Sequence, residues 1–263
     1  MKIDFHTHSK LAKGLPFSPE YTKWHLQQAK LAGLDAICVT EHYNGTEMVE
    51  LFNYFQSELK KDGDAFVTED ELIVFMGLEI DAVYESGSGH FLTIGEINDI
   101  RDIYKKLQPF LQISQHPTFN ELVAIVKNHP VMFGVSHPFR TGKTAFHLQK
   151  DDLRLLDFLD LNGKDTALDP TNENLINSLS ADVNIPILAG SDTHQANQFG
   201  CIYNQFNSRI TSVKALHDAV KNKAYTVKHG ENPLFKVKTA KLIKSALKEI
   251  HNLGGDYVSV ILK

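Results

Sequence analysis

Cysteine is scarce in this chain of 263 residues, in which only Cys38 and Cys201 occur. Two thiols cannot build a disulfide framework or a cysteine-rich zinc site, so we expect both to be packed and reduced. Long apolar runs are also missing, because no segment approaches the length of a membrane span and the amino terminus lacks the apolar stretch of a secretory signal. These absences predict a cytoplasmic protein that does not contact a membrane.

Positive charge is not in excess either. The formal net charge is −5 and the isoelectric point is near 6.2, which disfavours a protein that tracks long nucleic acids through a broad basic surface. A short oligonucleotide or a mononucleotide remains open as a substrate. No tandem repeat, low-complexity linker or composition break divides the chain. We therefore expect a single α/β domain over residues 1–263, with 231–263 as a C-terminal helix-strand extension.

Strand and helix patterns alternate along the sequence. Short apolar runs predict strands buried on both faces, as in parallel sheets, at 36–40, 72–76 and 131–136, and a further strand is predicted at 187–194. Capping residues and helical spacing predict helices at 19–32, 46–60, 100–111, 120–128, 171–182 and 212–221. The extension predicts an amphipathic helix and a last short strand. We interpret its lysines as a solvated face rather than an anion site: Lys236, Lys238, Lys241, Lys244 and Lys248.

Histidines and acids follow the predicted strands. His6 and His8 lie two residues apart at the end of the first strand, so their side chains point to the same side. In a chain with 13 histidines such a pair can arise by chance, and its meaning depends on its partners. Later strand ends contribute residues of the same chemistry: Glu41, His42, Glu79, His90, His137, Asp192 and His194.

The carboxyl ends of parallel barrel strands share one face, which is where barrel enzymes place their chemistry. Imidazoles and carboxylates without thiolates suit zinc, manganese or iron more than calcium or magnesium. A carboxylate such as Glu79 can bridge two ions, and paired ions polarise an ester and lower the pKa of a shared water. The pattern therefore predicts a metal centre suited to ester hydrolysis.

Six motifs, taken together and in this order, resemble the polymerase and histidinol phosphatase (PHP) superfamily. They are Asp4-x-His6-x-His8-Ser9, Thr40-Glu41-His42, Gly77-x-Glu79, the isolated His90, Val135-Ser136-His137-Pro138-Phe139-Arg140 and Gly190-Ser191-Asp192-x-His194. The resemblance runs from Lys2 to about Val227. It implies a distorted TIM-like (β/α)7 barrel that binds two or three divalent transition-metal ions (Mn, Zn or Fe). It also implies hydrolysis of a phosphate ester by a metal-bound hydroxide.

The same resemblance implies a ligand set for each ion. One ion would be held by His6, His8, Glu79 and Asp192. A second would be held by Glu79, His90 and His137. His42 and His194 match the residues that hold a third ion, where one is present.

Several residues keep two interpretations at this stage. Glu41 stands where aspartate is usual in the family, and it either binds metal or orients a ligand. His194 is a candidate for assisting the leaving group. Arg140 either reaches a substrate phosphate or forms a salt bridge on the barrel rim. Asn162 and Asp165, near another strand end, either contact substrate or form a turn.

One stretch departs from the family pattern. Many members place an acid a few residues after the His-x-His pair, whereas Lys10-Leu11-Ala12-Lys13-Gly14 holds none before Glu20. The third ion has thereby lost an expected ligand, and Lys13 is a candidate for occupying that space with its own charge. The choice between two and three ions stays open at the sequence level.

The leading functional hypothesis is hydrolysis of a small phosphomonoester, with histidinol phosphate as one candidate. The alternatives are a nucleotide or short-oligonucleotide phosphoesterase and a non-catalytic, metal-stabilised regulatory module. Related amidohydrolase chemistry on C–N bonds is disfavoured, because no lysine at a strand end is placed to be carboxylated. The sequence gives no indication of the oligomeric state.

Overall fold

The computed structural model describes residues 1–263, and its elements alternate along most of the chain. The strands are β1 (Lys2–Thr7), β2 (Ala36–His42), β3 (Lys60–Asp62), β4 (Ala65–Val67), β5 (Ile73–Tyr84), β6 (Gly87–Gly95), β7 (Met132–Ser136), β8 (Phe158–Asn162), β9 (Ile187–Gly190), β10 (Ile202–Phe206) and β11 (Tyr225–His229). The helices are α1 (Pro19–Leu31), α2 (Met48–Glu58), α3 (Ile97–Gln112), α4 (Phe119–Val126), α5 (Lys150–Leu153), α6 (Gly163–Leu168), α7 (Thr171–Val183), α8 (Val213–Lys221), α9 (Pro233–Asn252) and α10 (Tyr257–Ile261).

Seven strands curl into a barrel in the order β1-β2-β5-β6-β7-β8-β9. The barrel closes between β1 and the segment that follows β9. There the Asp192 amide donates to the His6 carbonyl at 2.7 Å, and the His8 amide donates to the Thr193 carbonyl at 2.9 Å. The strands β10 and β11 continue the sheet outside the barrel from the start of β1. The expected distorted seven-stranded TIM-like barrel in one α/β domain is confirmed.

One barrel strand runs against the other six. β6 pairs antiparallel with both β5 and β7, whereas the remaining neighbours around the barrel are parallel. The cause is that β5 continues five residues beyond Glu79 and returns directly through a hairpin, with no helix between. The expectation that every candidate ligand follows a carboxyl end is therefore wrong for His90, which lies in the first half of β6 opposite Asp81.

The junction of β1, β9 and β10 depends on one buried side chain. The Asn204 amide nitrogen donates to the carbonyls of Ile3 (3.1 Å) and Ala189 (2.8 Å), and its oxygen accepts from the Ala189 amide at 2.9 Å. The Asn204 side chain thus supplies hydrogen bonds of the kind that a neighbouring strand provides. It does so at the point where β1 changes its pairing partner from β10 to the segment after β9.

Substitution Asn204→Ala is expected to destabilise the fold by about 2–4 kcal/mol, because it leaves two carbonyls and an amide buried without partners. Urea unfolding, with equal slopes assumed for both proteins, measures this change. Asn207→Ala is the control, since Asn207 is exposed three residues further on. Equal midpoints for the two variants would contradict a closing role for Asn204.

The floor of the barrel is apolar and its upper part is polar. Phe5 packs against Phe158 in the interior, with ring centroids 6.3 Å apart, while the next residue, His6, contacts Asp160. Phe158 and Asp160 lie two residues apart on β8, so their side chains point to the same side of the sheet. Because Phe5 contacts the first and His6 the second, these consecutive residues of β1 both point into the barrel. An irregularity in the β1–β2 register between Asp4 and Thr7 makes this arrangement feasible.

Local sequence signals account for most helices. The Ser18 hydroxyl accepts from the Tyr21 amide, Pro19 occupies the first helical position, and Gly33 takes φ +83° just after the end of α1. The hairpin β3–β4, strand β10 and helix α6 were not predicted. Asn162 and Gly163 were interpreted as a turn, whereas the Asn162 side chain caps α6 by accepting from the Asp165 amide.

The C-terminal extension differs from the prediction in its last element. The expected final strand is wrong, because Asp256 caps the short helix α10 instead. The extension packs back on the domain, where Leu247 and Tyr257 form a small apolar core with Leu11, Leu15 and Tyr21. No helix of the chain combines the length and the apolar composition required to cross a bilayer.

Candidate metal centre

The Glu79 carboxylate occupies the centre of a group of imidazoles inside the barrel. Its Oε1 lies 2.8 Å from His90 Nδ1, 3.1 Å from His137 Nε2 and 3.5 Å from His6 Nε2. Its Oε2 lies 3.1 Å from His42 Nδ1 and 3.5 Å from His8 Nε2. One carboxylate thus faces five imidazole nitrogens, and its two oxygens divide them into two groups.

The candidate ligands form three overlapping clusters. In each cluster the ligand atoms lie within 4.8 Å of one another. The clusters are His6 with His8 and Asp192, Glu79 with His90 and His137, and His8 with His42 and His194. The structure thus brings together all eight of the predicted ligands other than Glu41, in three groups that correspond to the expected ion sites.

The donor atoms fit divalent cations. His6 Nε2, His8 Nε2 and His42 Nδ1 are buried and have no hydrogen-bond partner, although each faces Glu79 or Asp192. Buried imidazole nitrogens without partners are costly in a protein interior, and coordination of a cation removes that cost. Nitrogen and carboxylate oxygen without sulfur is a donor set for manganese, zinc or iron.

Asp160 orients two of these ligands from behind. Its Oδ2 lies 2.9 Å from His6 Nδ1, and it also accepts from the His137 amide at 3.2 Å and from the Asn162 side chain at 3.1 Å. This leaves His6 Nε2 as the atom directed into the cluster. A carboxylate that accepts from the far nitrogen of a ligating histidine fixes its tautomer and ring orientation.

Substitution Asp160→Asn is expected to weaken metal affinity and any metal-dependent activity by about 10–100-fold, since the second nitrogen of His6 loses its anionic acceptor. Metal titration followed by elemental analysis provides the measurement. Asp70→Asn is a charge-matched control at an exposed site. An unchanged metal affinity in the Asp160 variant would contradict the orienting role.

Glu41 lies behind His8 rather than among the ligand atoms. Its Oε1 is 3.3 Å from His8 Nδ1, and its oxygens accept from the amides of Ser9, Lys10 and His42. Burial would raise the pKa of Glu41, but His8 and these hydrogen bonds lower it to about 2. Of the two interpretations of Glu41, the contacts therefore support the orienting one.

His90 is linked to the protein surface through a carboxylate. Its Nε2 lies 2.8 Å from Asp81 Oδ1, which also accepts from Lys143 at 2.5 Å. Burial opposes a charge on His90, but Glu79 and Asp81 outweigh it and raise the pKa of His90 to about 9. A divalent ion must displace that proton from Nδ1, so metal binding is expected to weaken as the pH falls.

Arg140 forms a salt-bridge network on the rim. Its guanidinium donates to Asp165 and to Oδ1 of the Asn162 side chain, and one of its nitrogens lies 2.8 Å from Asp192 Oδ2. Lys164 approaches the same oxygen at 3.5 Å. Asp192 thus directs Oδ1 to the imidazoles and Oδ2 to two cations, which supports the salt-bridge interpretation of Arg140 and a structural role for Asn162 and Asp165.

Burial keeps three other histidines neutral. It lowers the pKa of His137 to about 3, with Arg140 adding to the effect, and it lowers the pKa of His42 to about 4. The pKa of His194 is also well below its ordinary value, because the residue is buried beside His8. Neutral imidazole is the form that coordinates metal, so these side chains are ready to bind near neutral pH.

The backbone near two ligands is strained. His137 has φ +30° and Asp192 has φ +56°, in a region that residues other than glycine seldom adopt. Gly190 explains how β9 approaches β1, because a Cβ at this position would lie 2.3 Å from the Cβ of His6. The glycine of the Gly-Ser-Asp-x-His motif is therefore required by packing next to the candidate ligands.

The divergent loop after His8 holds its lysines away from the ligands. Lys10 Nζ donates to the Thr46 carbonyl at 2.5 Å and to the Thr46 hydroxyl at 2.8 Å, and Lys13 is exposed. The idea that Lys13 fills the third cluster is therefore wrong. The loop contributes only a backbone atom, since the Lys10 carbonyl lies 3.2 Å from His194 Nδ1.

Several residues of the site were not identified from the sequence. Four residues lacked the spacing of a ligand pair: Asp81, Lys143, Asp160 and Lys164. Two of them, Asp81 and Asp160, do share a strand face with residues that were predicted to belong to the site. Alternation along β5 and β8 could have indicated them, since Asp81 follows Glu79 by two residues and Asp160 precedes Asn162 by two.

Comparisons with known proteins agree with this geometry. A family model described as PHP-associated matches residues 171–225. PsfC from Pseudomonas syringae superposes with a TM-score of 0.73 at 19% identity, covering 94% of this chain and 98% of PsfC. The family match covers a short part of the chain, and the superposition shows a shared fold over nearly all of it. No curated protein is significantly similar in sequence.

Two further solved structures have a similar fold. PfuEndoQ, a lesion-specific endonuclease from Pyrococcus furiosus, gives a TM-score of 0.66 at 19% identity, and the alignment covers 88% of this chain and 59% of that one. A protein from Bifidobacterium adolescentis, assigned as a metal-dependent phosphoesterase, gives 0.50 at 16% identity over 73% and 87% of the two chains. At these identities the similarity shows a common fold, and the histidinol-phosphatase-like character expected from the sequence stays a prediction.

Proposed function

We propose that this protein is a metal-dependent phosphoesterase of the PHP type whose substrate is a small phosphate ester. The observation that carries the proposal is the position of Glu79, whose two oxygens face five imidazole nitrogens, three of them from buried histidines. Divalent ions bound there would supply Lewis-acid activation of water and of the phosphate oxygens. A purely structural metal site is closed by its ligands, whereas His42, His90 and His194 retain 12–13% side-chain exposure towards solvent.

The chain's own residues then have defined tasks. His6, His8 and Asp192 would hold one ion, His90 and His137 a second, and Glu79 would contact both. Asp160 and Glu41 keep His6 and His8 in one tautomer. His194, at the open side of the third cluster, would complete a third ion site. Its Nδ1 faces the Lys10 carbonyl and its lowered pKa keeps it neutral, so it lacks the proton that assistance to a leaving oxygen requires.

The charges at the mouth favour an anionic substrate over one with a free ammonium group. Lys143, Arg140 and Lys164 surround the cluster, and the carboxylates nearest to them, Asp81 and Asp165, are already paired with Lys143 and Arg140. A cationic substrate such as histidinol phosphate would find no free carboxylate among these groups. We therefore favour a phosphomonoester whose organic group is neutral or anionic over histidinol phosphate, the candidate named from the sequence.

The experiment that tests the proposal has two parts. Metal content is first measured on protein purified without added metal and on protein loaded with manganese, zinc or iron. The loaded forms are then assayed with phosphomonoesters, including histidinol phosphate, and with a phosphodiester. Phosphate release that requires the transition metal supports the proposal. Stoichiometric metal without turnover of any ester would instead identify a metal-stabilised module without activity.

A second candidate is hydrolysis of a nucleotide or short oligonucleotide, and the feature that favours it is an aromatic surface near the mouth. Phe146 is 37% exposed and packs against Phe139, with ring centroids 4.9 Å apart, in the loop that follows His137. Exposed aromatic rings bind nucleobases by stacking, at about 1–3 kcal/mol per base. In the same assay, Phe146→Ala should raise KM for nucleotides but not for alkyl phosphates if this surface stacks a base.

A further inference from the structure

The lysines of the C-terminal helix α9 do not all face solvent. Lys238, Lys241 and Lys248 are exposed, as expected of a solvated face. Lys244 instead lies on the packed stripe of the helix, three, four and seven residues from its buried neighbours. These neighbours are Val237, Ala240 and Leu247, which are at most 4% exposed. The interpretation of all five lysines as one solvated face is thus wrong for Lys244.

Packing of α9 fixes where this stripe faces. The helix packs against α6, which carries Lys164, and against the short 3-10 turn Ala196–Gln198, which begins two residues after His194. At one end of the stripe, Lys236 Nζ donates to the Phe199 carbonyl at 2.9 Å. At the other, Leu247 joins the apolar core with Leu11 and Tyr21. Lys244 is therefore held between the two segments that follow β8 and β9.

The charges around Lys244 belong to the candidate metal centre. Burial lowers the pKa of Lys244 to about 8, against the opposing effect of Asp192, and Lys164 lowers it further. No carboxylate lies within 4.0 Å of its Nζ. Asp192 Oδ2 is already shared by Arg140 and Lys164, so it is not a free partner. A partly buried ammonium without an anion is unfavourable unless a ligand supplies one.

We propose that Lys244 and Lys164 together bind the phosphate group of the substrate at the mouth of the metal centre. The proposal rests on the proposed function and adds the residues that recognise the anion. Three cations, Arg140, Lys164 and Lys244, meet two carboxylates there, Asp165 and Asp192, and one positive charge is left for a ligand. The C-terminal extension thereby becomes part of the substrate site, on the side where the loop Lys10–Gly14 lacks the acid usual in the family.

The alternative is that Lys244 only covers apolar surface with its methylene chain. Lys244→Met retains that covering and removes the charge, whereas Lys244→Gln keeps polarity at nearly the same length. Lys241→Gln is the matched control, because it removes the same charge from the exposed side of the same helix. Thermal unfolding of each variant establishes that α9 remains packed.

The test uses inorganic phosphate as the probe and isothermal titration calorimetry as the measurement, on the full chain in metal-free and manganese-loaded forms. Loss of one charged hydrogen bond corresponds to a Kd increase of about 10-fold or more, which we expect for both Lys244 variants and for Lys164→Gln. The double variant should lose less than the product of the two single effects, because both lysines contact one anion. Lys241→Gln should match the unaltered protein.

Kinetic constants separate this inference from the proposed function. With an active phosphomonoester, the Lys244 variants should raise KM about 10-fold and change kcat much less. If phosphate binding depends on Lys244 but no ester is hydrolysed, the phosphoesterase proposal fails and the anion site stands. If esters are hydrolysed while Kd for phosphate and KM are the same in Lys244→Met, Lys244→Gln and Lys241→Gln, the anion site is disproved and the phosphoesterase proposal stands.

Discussion

Replacing Glu79 with glutamine is expected to lower metal-dependent hydrolysis by about 10³-fold or more and to reduce bound metal to less than one ion per chain. The carboxylate is the one group whose two oxygens face both histidine sets, His6 with His90 and His137 on one side and His8 with His42 on the other. An amide nitrogen carries no lone pair for a cation, so one oxygen's contacts are lost and the negative charge disappears.

Elemental analysis and steady-state kinetics on the same preparations measure this effect. Glu85→Gln is the control, since it removes an equal charge from the exposed tip of the same β5–β6 hairpin. Circular dichroism must show that both variants are folded, because Glu79 is also buried. Full metal content together with unchanged turnover in the Glu79 variant would rule out the bridging position on which the proposed function depends.

Removal of the metal is expected to abolish hydrolysis and to lower the thermal midpoint by about 10 °C or more. An ion present at 1,000 times its Kd stabilises the folded chain by about 4 kcal/mol, and each kilocalorie corresponds to about 2–4 °C in domains near this size. The apo protein must also bury the unpartnered nitrogens of His6, His8 and His42.

Differential scanning calorimetry before and after chelation, followed by addition of single metals, measures this prediction. Manganese, zinc or iron should restore both the midpoint and the activity, whereas calcium should restore neither, because the site offers mostly imidazole nitrogen. A midpoint that is the same with and without the chelator, in protein shown by elemental analysis to have carried metal, would contradict a stabilising metal centre.

The motifs of the sequence predicted the clustering of the candidate ligands because strand geometry is local. In an extended segment i and i+2 share a face, so His6 with His8 and Asp192 with His194 could be grouped from spacing alone. The buried apolar runs before them predicted parallel strands, and parallel strands predict a common functional end. Helix capping is also local, and Ser18 and Pro19 correctly predicted the start of α1.

The failures have a common physical origin, which is that they depend on contacts between distant segments. β6 runs antiparallel because β5 extends past Glu79, and nothing in the residues around His90 distinguishes that course from a parallel strand. The irregularity in β1 depends on how β1 pairs with β2, and it turns both Phe5 and His6 into the barrel. Asp160 acquires its role only when β8 comes to lie beside His6.

The C-terminal lysines illustrate the same limit. Their spacing alone fits a solvated helix face, and for Lys238, Lys241 and Lys248 that interpretation agrees with the structure. Lys244 differs from them only because α9 packs against α6 and the Ala196–Gln198 turn, which directs one stripe of the helix towards Asp192. Helical periodicity identifies stripes, but the partner that covers a stripe is set by tertiary packing.

By itself, the sequence predicted the chemistry of this protein: a histidine- and carboxylate-rich centre without thiolates, at the end of a single α/β barrel. Residue type and strand periodicity are sufficient for that conclusion. Only the tertiary structure decided which side chains orient the candidate ligands, that Glu79 stands between two histidine sets, and that the C-terminal extension packs against α6 and the Ala196–Gln198 turn. Those features arise from segments up to about 200 residues apart, and long-range packing, unlike local periodicity, leaves no pattern in one sequence.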